Sequence, residues 1–395
     1  MVERVDFDVL VIGCGIGGAG VAQALAAAGH EVLVVEKKEP AAGTSSRSSK
    51  LIHGGLRYLE TLELRLVHES LRERTIMLKI APHLVRLIDF HIPVYGDMQR
   101  GPWTMRAGLS LYSLLAGFRK DSRFCSLPRS EWDDLDGLRT EGLRAVYRYQ
   151  DGSTDDALLT RAVLASAIEL GAQHSLNTEL VRAEWKQDRW QVELLREGKT
   201  ETLGARILVN AAGPWAAEVA QRLHPAAPCP QVALVAGSHL ELPGALHKGA
   251  FYVEAQHDRR AVFAIPWKGH TLLGTTERLY TGEPDRIVPS QEEIDYLRTI
   301  FQRHFPQADS TPITSWAGLR VLENGKGRAF KRSREVLLPI DDAHNPRVLS
   351  ILGGKLTAYR ATAERVLDTL APSLPKAERK ADTSTLRLPE GKQSA

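Results

Sequence analysis

"FDVLVIGCGIGGAGVAQALAAAGHEVLVVE", Phe7 to Glu36, decides the fold. Phe7 to Ile12 is short, rich in Val, Ile and Leu, and ends at glycine, which predicts a buried parallel strand. The alanine-rich stretch after it reads as a helix that stops at Gly29, a residue suited to the left-handed position past a helix end. Glu31 to Glu36 reads as a second buried strand, completing a βαβ unit. Gly13, Gly15 and Gly18 fall in the G-x-G-x-x-G spacing between strand and helix. Gly13 permits the tight turn, Gly15 lets the backbone approach a pyrophosphate, and Gly18 lets helix and strand pack closely. The helix start offers N–H groups and partial positive charge to phosphates. Glu36 ends the second strand, where its carboxylate can accept from ribose hydroxyls. An acid there argues against a 2′-phosphate, so NADP is disfavoured and FAD or NAD remains.

The rest of the composition narrows the class. The chain has 395 residues, 43% of them hydrophobic, and a net charge of +3, enough for two or three domains of ordinary globular character. No basic tail or aromatic-basic repeat calls for nucleic acid. The three cysteines, Cys14, Cys125 and Cys229, form no metal spacing or redox pair. They read as reduced thiols, which favours the cytoplasm, and no metal site is expected. No signal-peptide pattern precedes the first strand, and no window reaches the ~18 apolar residues of a spanning helix.

Along the chain, helical patterns recur at Val67 to Ile80 and at Ala157 to Leu170, the second capped by Asp155 or Asp156. Leu180 to Ala212 reads as a strand meander, and Ala250 to Thr276 as a second strand-rich block. "SQEEIDYLRTIFQRHF" is a helix opened by a Ser290/Glu293 capping box. "RVLSILGGKLTAYRATAERVLDTL" reads as strand, glycine turn and a helix beginning near Lys355. Lys376 to Ala395 is polar, charged and broken by proline, which predicts a mobile tail. Nucleotide-type segments at the start, middle and end, with strand-rich segments between them, imply an α/β chain of two interleaved domains.

Two stretches favour a flavin. "ILVNAAGPWA", Ile207 to Ala216, is a buried strand ending in small residues and a Gly-Pro turn, so the chain can pass beside a flat cofactor. In "LGGKLTAYR", Leu352 to Arg360, helix-start N–H groups with Lys355 would form an anion site. Aimed at flavin N1/O2, it would stabilise the negative charge of the reduced ring. The plain alternative is a left-handed turn before a surface helix.

"TSSRSSKLIHGGLRYLE", "RLVHESLRER", "NAAGPW", "GSH", "GLRVL" and "GGKLTAYR", in order after the fingerprint, make the chain resemble the FAD-dependent (respiratory) glycerol-3-phosphate dehydrogenases of the D-amino-acid-oxidase-like flavoprotein superfamily. The residues depart from that pattern at Gly17, Ala236, Glu277 and Val321. The resemblance implies a Rossmann-like FAD-binding domain (residues 1–85, 150–225 and 325–372) interleaved with an antiparallel-sheet substrate domain (86–149 and 226–324), followed by a tail (373–395). It implies FAD held by Gly13, Gly15, Ile16, Gly18, Glu36, Lys37, Thr44, Ser45, Ser46, Lys50, Leu51, His53, Gly54, Val181, Ala212, Gly213, Trp215, Gly354, Lys355, Leu356 and Thr357. His53 reads equally as a packed loop histidine.

The implied reaction is oxidation of sn-glycerol 3-phosphate to dihydroxyacetone phosphate, with hydride passing from C2 to flavin N5 and electrons going on to quinone. A phosphate dianion is best met by forked, permanent cations. Arg57, Arg320 and Arg332 are the candidates, with Tyr58 beside them. The hydroxyl proton needs a base that titrates near neutrality. His239, at the "GSH" position, is expected to be that base or a partner of the C2 hydroxyl. Arg320 could instead stabilise developing alkoxide, and Lys355 the charge reaching the flavin. Rival readings are a flavoenzyme of the same superfamily acting on a hydroxy or amino acid, and a non-catalytic flavoprotein subunit. "GPWTMRAGLSLYSLLAGFRK", Gly101 to Lys120, has two readings: a helix in the membrane interface with Arg106, Arg119 and Lys120 at the headgroups, or one packed on the second domain. Oligomeric state is left open.

Overall fold

The computed structural model describes residues 6–324 and 335–390. The opening βαβ unit forms as read. Strand β1 (Phe7–Ile12) lies parallel to β2 (Val32–Val35) on one side and to the Lys199–Asn210 strand on the other. Val9, Leu10 and Val11 are fully buried, as a strand covered on both faces requires. Helix α1 (Ile16–Ala27) is built almost wholly of small residues because it is buried on nearly every side. Gly20 faces the Tyr359 ring so closely that an added Cβ would stand 2.8 Å from it, and Gln23 donates to Ser166 Oγ at 2.9 Å. A larger residue on α1 would push apart the helices Asp156–Glu169 and Tyr359–Leu370 that flank it.

Among the described residues two sheets make the frame. The first, of eight strands, draws on residues 7–35, 173–224 and 348–350. Its centre is parallel, and the Thr178–Lys186, Arg189–Arg196 and Lys199–Asn210 meander extends one edge. The second, of ten strands, draws on residues 51–52, 85–95, 124–154 and 232–323 and is antiparallel apart from one pair. Its longest ladders join Val85–Tyr95 to Leu143–Thr154, and Val232–Leu242 to Thr314–Glu323. The fold is thus a Rossmann-like sheet interleaved with an antiparallel one, with separate apolar cores behind each.

Local signals resolve as physical chemistry dictates. Asp155 is the cap of the Asp156–Glu169 helix, accepting from the Ala157 and Leu158 N–H groups at 3.1 Å each. The Ser290/Glu293 capping box closes in both directions.

Two expectations fail. The helix after the glycine pair begins at Tyr359, four residues beyond Lys355. Gly353 and Gly354 both take positive φ (84° and 97°), and short turns through Ala358 must reset the chain before a helix can start. The tail, as far as residue 390, is docked rather than loose. Lys380 and Ala381 N–H groups both donate to the Ala27 carbonyl at the end of α1, and Leu388 N–H to Ile80. Lys380 Nζ meets the Leu170 carbonyl at 2.7 Å. Leu388 is 3% exposed and belongs to the core under the first sheet. A polar composition concealed one anchoring leucine and a run of backbone bonds.

Candidate active site

A cavity of about 470 Å³ runs between the two sheets, from the rim at Glu36, Lys37 and Trp215 to His239 and Arg320. Its nucleotide end is shaped by glycine. Gly13 has φ +101°, donates to the Val35 carbonyl at 2.8 Å, and leaves no room for a Cβ, which would lie 2.7 Å from Ala211 O. Gly18 is not on the wall; a Cβ there would overlap the Gly13 carbonyl, so its role is the close helix–turn packing. Gly15 caps α1 without any side-chain bond, and Gly15, Ile16 and Gly17 all line the cavity. Ile16 N–H donates to Ser45 Oγ at 2.9 Å. Glu36 accepts from Cys14 N–H at 2.7 Å and Lys38 N–H at 2.9 Å, which fixes its carboxylate at the rim. An uncapped helix start, a glycine cradle and an oriented acid are the donor set a dinucleotide's pyrophosphate and ribose need.

The other expected cofactor residues divide. Lys37, Thr44, Leu51, His53, Ala212, Gly213, Trp215, Gly354, Lys355, Leu356 and Thr357 line the cavity. His53 donates its N–H to Thr357 Oγ1 at 3.1 Å, tying the loop to the segment after the glycine pair. Lys355 Nζ stands 3.7 Å from the centre of the Tyr58 ring. Four residues lie off the wall. Lys50 is buried with its amine on Asp156 Oδ1 and the Ser46 carbonyl, both at 2.6 Å, so it fixes the loop instead of facing the cavity. Ser46 turns its hydroxyl back to the Gly43 carbonyl. Gly54 donates to Tyr112 Oη at 3.0 Å and packs where a side chain could not fit. Val181 is 41% exposed on the outer meander, although Glu179 and Leu180 line the cavity.

Arg57, Tyr58, His239 and Arg320 all line the cavity, and the Arg320 charge is close enough to act on the His239 ring. Arg332 lies outside the described residues. Arg320 sits opposite Val235 in its ladder and lies over Gly237, where a Cβ would be 2.9 Å from Nη2. Its Nη2 donates to Thr275 Oγ1 at 3.3 Å, and Nη1 is 3.8 Å from the buried Glu277, which also pairs with Arg260 at 3.3 Å. Glu277 lies between the two guanidiniums, and Arg260 has a second carboxylate partner in Asp258 at 3.6 Å, so Arg320 shares its buried counter-charge with a neighbour that is already paired. His239 is buried, stacked on Trp316 with centroids 5.9 Å apart, and its Nε2 is 2.9 Å from Ser49 Oγ. Burial first, then the Arg320 and Lys50 charges, push its imidazole down to about 3. It is therefore neutral at neutral pH, with a lone pair always available.

Sequence reasoning missed Arg47, Ser49, Tyr252, Phe263 and Thr275, all on the wall. Ser49 lay within a motif already singled out, but hydroxyls are too common in such loops to distinguish one from the next. Tyr252 and Phe263 reach the cavity from facing strands, a pairing that only register reveals.

These features define a flavoprotein oxidoreductase. The chain belongs to the FAD-dependent oxidoreductase (DAO) family, whose pattern it matches over residues 8–360, and FAD is the cofactor its cavity fits. It is 37% identical over 385 residues to a D-erythritol 1-phosphate dehydrogenase of Brucella abortus, an alignment covering 95% of this chain and 76% of the relative. It is 39% identical over 381 residues to a glycerol-3-phosphate dehydrogenase of Pseudomonas aeruginosa, covering 93% and 72%. A glycerol-3-phosphate dehydrogenase from Bacillus halodurans, solved with FAD, superposes with a TM-score of 0.74 at 28% identity over 98% of this chain and 68% of that one.

Proposed function

We propose that the protein oxidises sn-glycerol 3-phosphate to dihydroxyacetone phosphate. The observation that carries this reading is that Arg320 and neutral His239 lie within reach of each other on the wall of a cavity that Arg57 also lines and whose other end suits a dinucleotide. FAD, when bound, supplies the acceptor for the hydride that leaves C2. Arg320 and Arg57 hold the phosphate; Arg320, braced by Glu277 and Thr275, presents its fork in a fixed plane. His239 takes the proton of the C2 hydroxyl. Bound phosphate offsets the Arg320 charge that opposes an imidazolium, so His239 becomes a stronger base only once substrate is seated. Lys355, above Tyr58, adds a further positive charge to the cavity wall. Tyr252 and Phe263 cover the apolar side and exclude water.

The relative named for D-erythritol 1-phosphate favours a second reading, a four-carbon polyol phosphate. The same cations and the same base would serve it. Within this proposal quinone takes the electrons, the protein works on a membrane surface, and the domains follow the boundaries expected from sequence. Anaerobic mixing with sn-glycerol 3-phosphate, erythritol phosphates, and hydroxy and amino acids, read as loss of flavin absorbance near 450 nm, decides the substrate. Bleaching by hydroxy or amino acids alone would overturn the proposal. Retained FAD with no bleaching by any of them would mark a non-catalytic flavoprotein.

A further inference from the structure

His239 is sealed on every side but one. It is 2% exposed, lies flat on Trp316, and abuts Gly274 so tightly that a Cβ there would overlap its ring. Among the described residues its Nδ1 is buried without a hydrogen-bond partner. Its Nε2 meets Ser49 Oγ at 2.9 Å. Ser49 and His239 both line the cavity, so the hydroxyl bonded to the imidazole belongs to a residue on the wall that faces substrate. Both chain neighbours of Ser49 are pinned. Ser48 gives its N–H and its hydroxyl to Asp156 Oδ2 at 2.9 and 2.6 Å. Lys50 takes a left-handed φ of +58°, donates its N–H to Ser48 Oγ, and seats its amine on the same Asp156. A buried carboxylate satisfied by the Lys50 charge, two hydrogen bonds from Ser48 and one from the Ala157 N–H makes a stiff anchor. The hydroxyl between its two pinned neighbours is held in place before substrate arrives.

We propose that the Ser49 hydroxyl relays the substrate's hydroxyl proton to His239 Nε2. The inference rests on the reading that an alcohol is oxidised in this cavity. In the relay the substrate O–H bond breaks and its proton joins Ser49 Oγ. The Ser49 O–H bond breaks at the same time, and its proton joins Nε2. One proton enters and one leaves the serine, and no electrons change hands in the relay. The imidazole must begin with its proton on Nδ1, leaving the Nε2 lone pair free to accept. A buried polar nitrogen without a partner calls for a functional explanation, and here it has one: the proton parked on Nδ1 has no exit, so traffic is confined to Nε2. When the ketone leaves, the imidazolium discharges through the same hydroxyl.

Two measurements test this. In the holoenzyme, long-range ¹H–¹⁵N NMR, with His239→Gln identifying the resonance, should show His239 protonated at Nδ1 and bare at Nε2 at pH 7. A resonance from Nε2–H would overturn the relay. In single-turnover reduction by saturating substrate, Ser49→Ala should slow flavin bleaching by about 10²–10³-fold while substrate affinity changes by less than about threefold. Ser49→Thr, which keeps the hydroxyl, should recover most of that loss, and it decides the matter if the alanine variant does not retain FAD. Wild-type bleaching rates in the alanine variant would also overturn the relay. If the wild-type enzyme is bleached by no alcohol, the substrate reading has failed and the relay goes with it. Bleaching by a polyol phosphate, with Nε2 found protonated, removes the relay alone.

Discussion

Trp215 and Asp285 join the two halves of the molecule: the indole Nε1–H donates to Oδ2 at 2.9 Å. Trp215 follows a strand of the first sheet, and Asp285 lies on the short turn between the second sheet and its outer helix. Lys37 and Lys38 reach the same carboxylate at 3.2 and 2.7 Å, and Lys37 also lies over the indole ring. All four side chains sit at the rim of the cavity. The clasp stands beside Glu36, at the nucleotide end of the cavity.

The first expectation follows from that clasp. Asp285→Asn should raise the dissociation rate of FAD by about two- to fivefold, a modest figure because exposed ion pairs are weak singly. The rate of flavin bleaching by substrate should hardly change. Release can be followed as the recovery of free-flavin fluorescence after dilution, in low and high salt. The wild-type rate should rise with salt and the variant's should not, because the charge that salt screens has gone. Bonds from Lys38, Trp215 and Lys37 hold the Asp285 carboxyl down at about 2, so mild acid will not open the clasp.

Acid sensitivity should come from histidines instead. Burial, with the Arg320 and Lys50 charges, holds His239 at about 3, and burial holds His304 at about 4, each against an ordinary value of 6.5. A depressed histidine is neutral in the fold but takes a proton when unfolded, so the unfolded state binds more protons below pH 6.5. Their stabilising effect is full above that value and is lost as pH falls towards 4. The apoprotein's melting temperature should drop across this window. His304→Gln, remote from the cavity, should flatten the fall while leaving substrate bleaching intact. An equal slope in wild type and variant would show that other groups carry the acid response.

The docked tail gives a third expectation. Leu388 fills the core beneath α1 and the Leu64–Ile80 helix, so Leu388→Ala should cost about 2–4 kcal/mol. Chemical denaturation of the holoenzyme would measure it. Gly29→Ala should be at least as harmful, since Gly29 has φ +99° and a Cβ would collide with the Glu378 carbonyl. The aim of this pair is to separate a strap from a loose end. A loose tail would leave Leu388→Ala at wild-type stability and Gly29→Ala with only the backbone strain of its left-handed φ.

What the sequence disclosed, and what it hid, follows from how local each signal is. The glycine turn at Gly13, the cap at Asp155 and the box at Ser290 are set within a few residues of chain, so they were legible. Arg320 was legible because a glycine-flanked arginine amid buried neighbours needs a reason. The roles of Lys50 and Ser49 depend on Asp156, more than a hundred positions away, and only folding brings these together. The tail was misread for the same reason: its bonds go to Ala27 and Ile80, and its own composition carries no trace of them.

The helix Pro102–Leu115 packs one face on the second sheet, as one of its two sequence readings expects, and leaves the other face open. Met105, Leu109 and Tyr112 are buried against the second sheet. The outer face leaves Trp103 81% exposed, with Leu114 and then Phe118 in the following turn also exposed. The Leu64–Ile80 helix, tied to it through His68 and the Leu115 carbonyl at 3.1 Å, starts beside the exposed Leu62. Arg106, Arg119 and Lys120 are exposed around these side chains. No described helix is long and apolar enough to cross a membrane, so any contact through this face is with a surface. Apolar side chains ringed by cations suit the boundary between headgroups and acyl chains of an anionic bilayer. The holoenzyme should therefore float with vesicles containing about one third phosphatidylglycerol and remain behind with neutral ones. Charge reversal at Arg106, Arg119 and Lys120 should abolish flotation, and Trp103→Ser with Phe118→Ser should weaken it by about tenfold, with bleaching by substrate unchanged in both. Equal recovery in the soluble fraction with either lipid would leave this helix as packing alone.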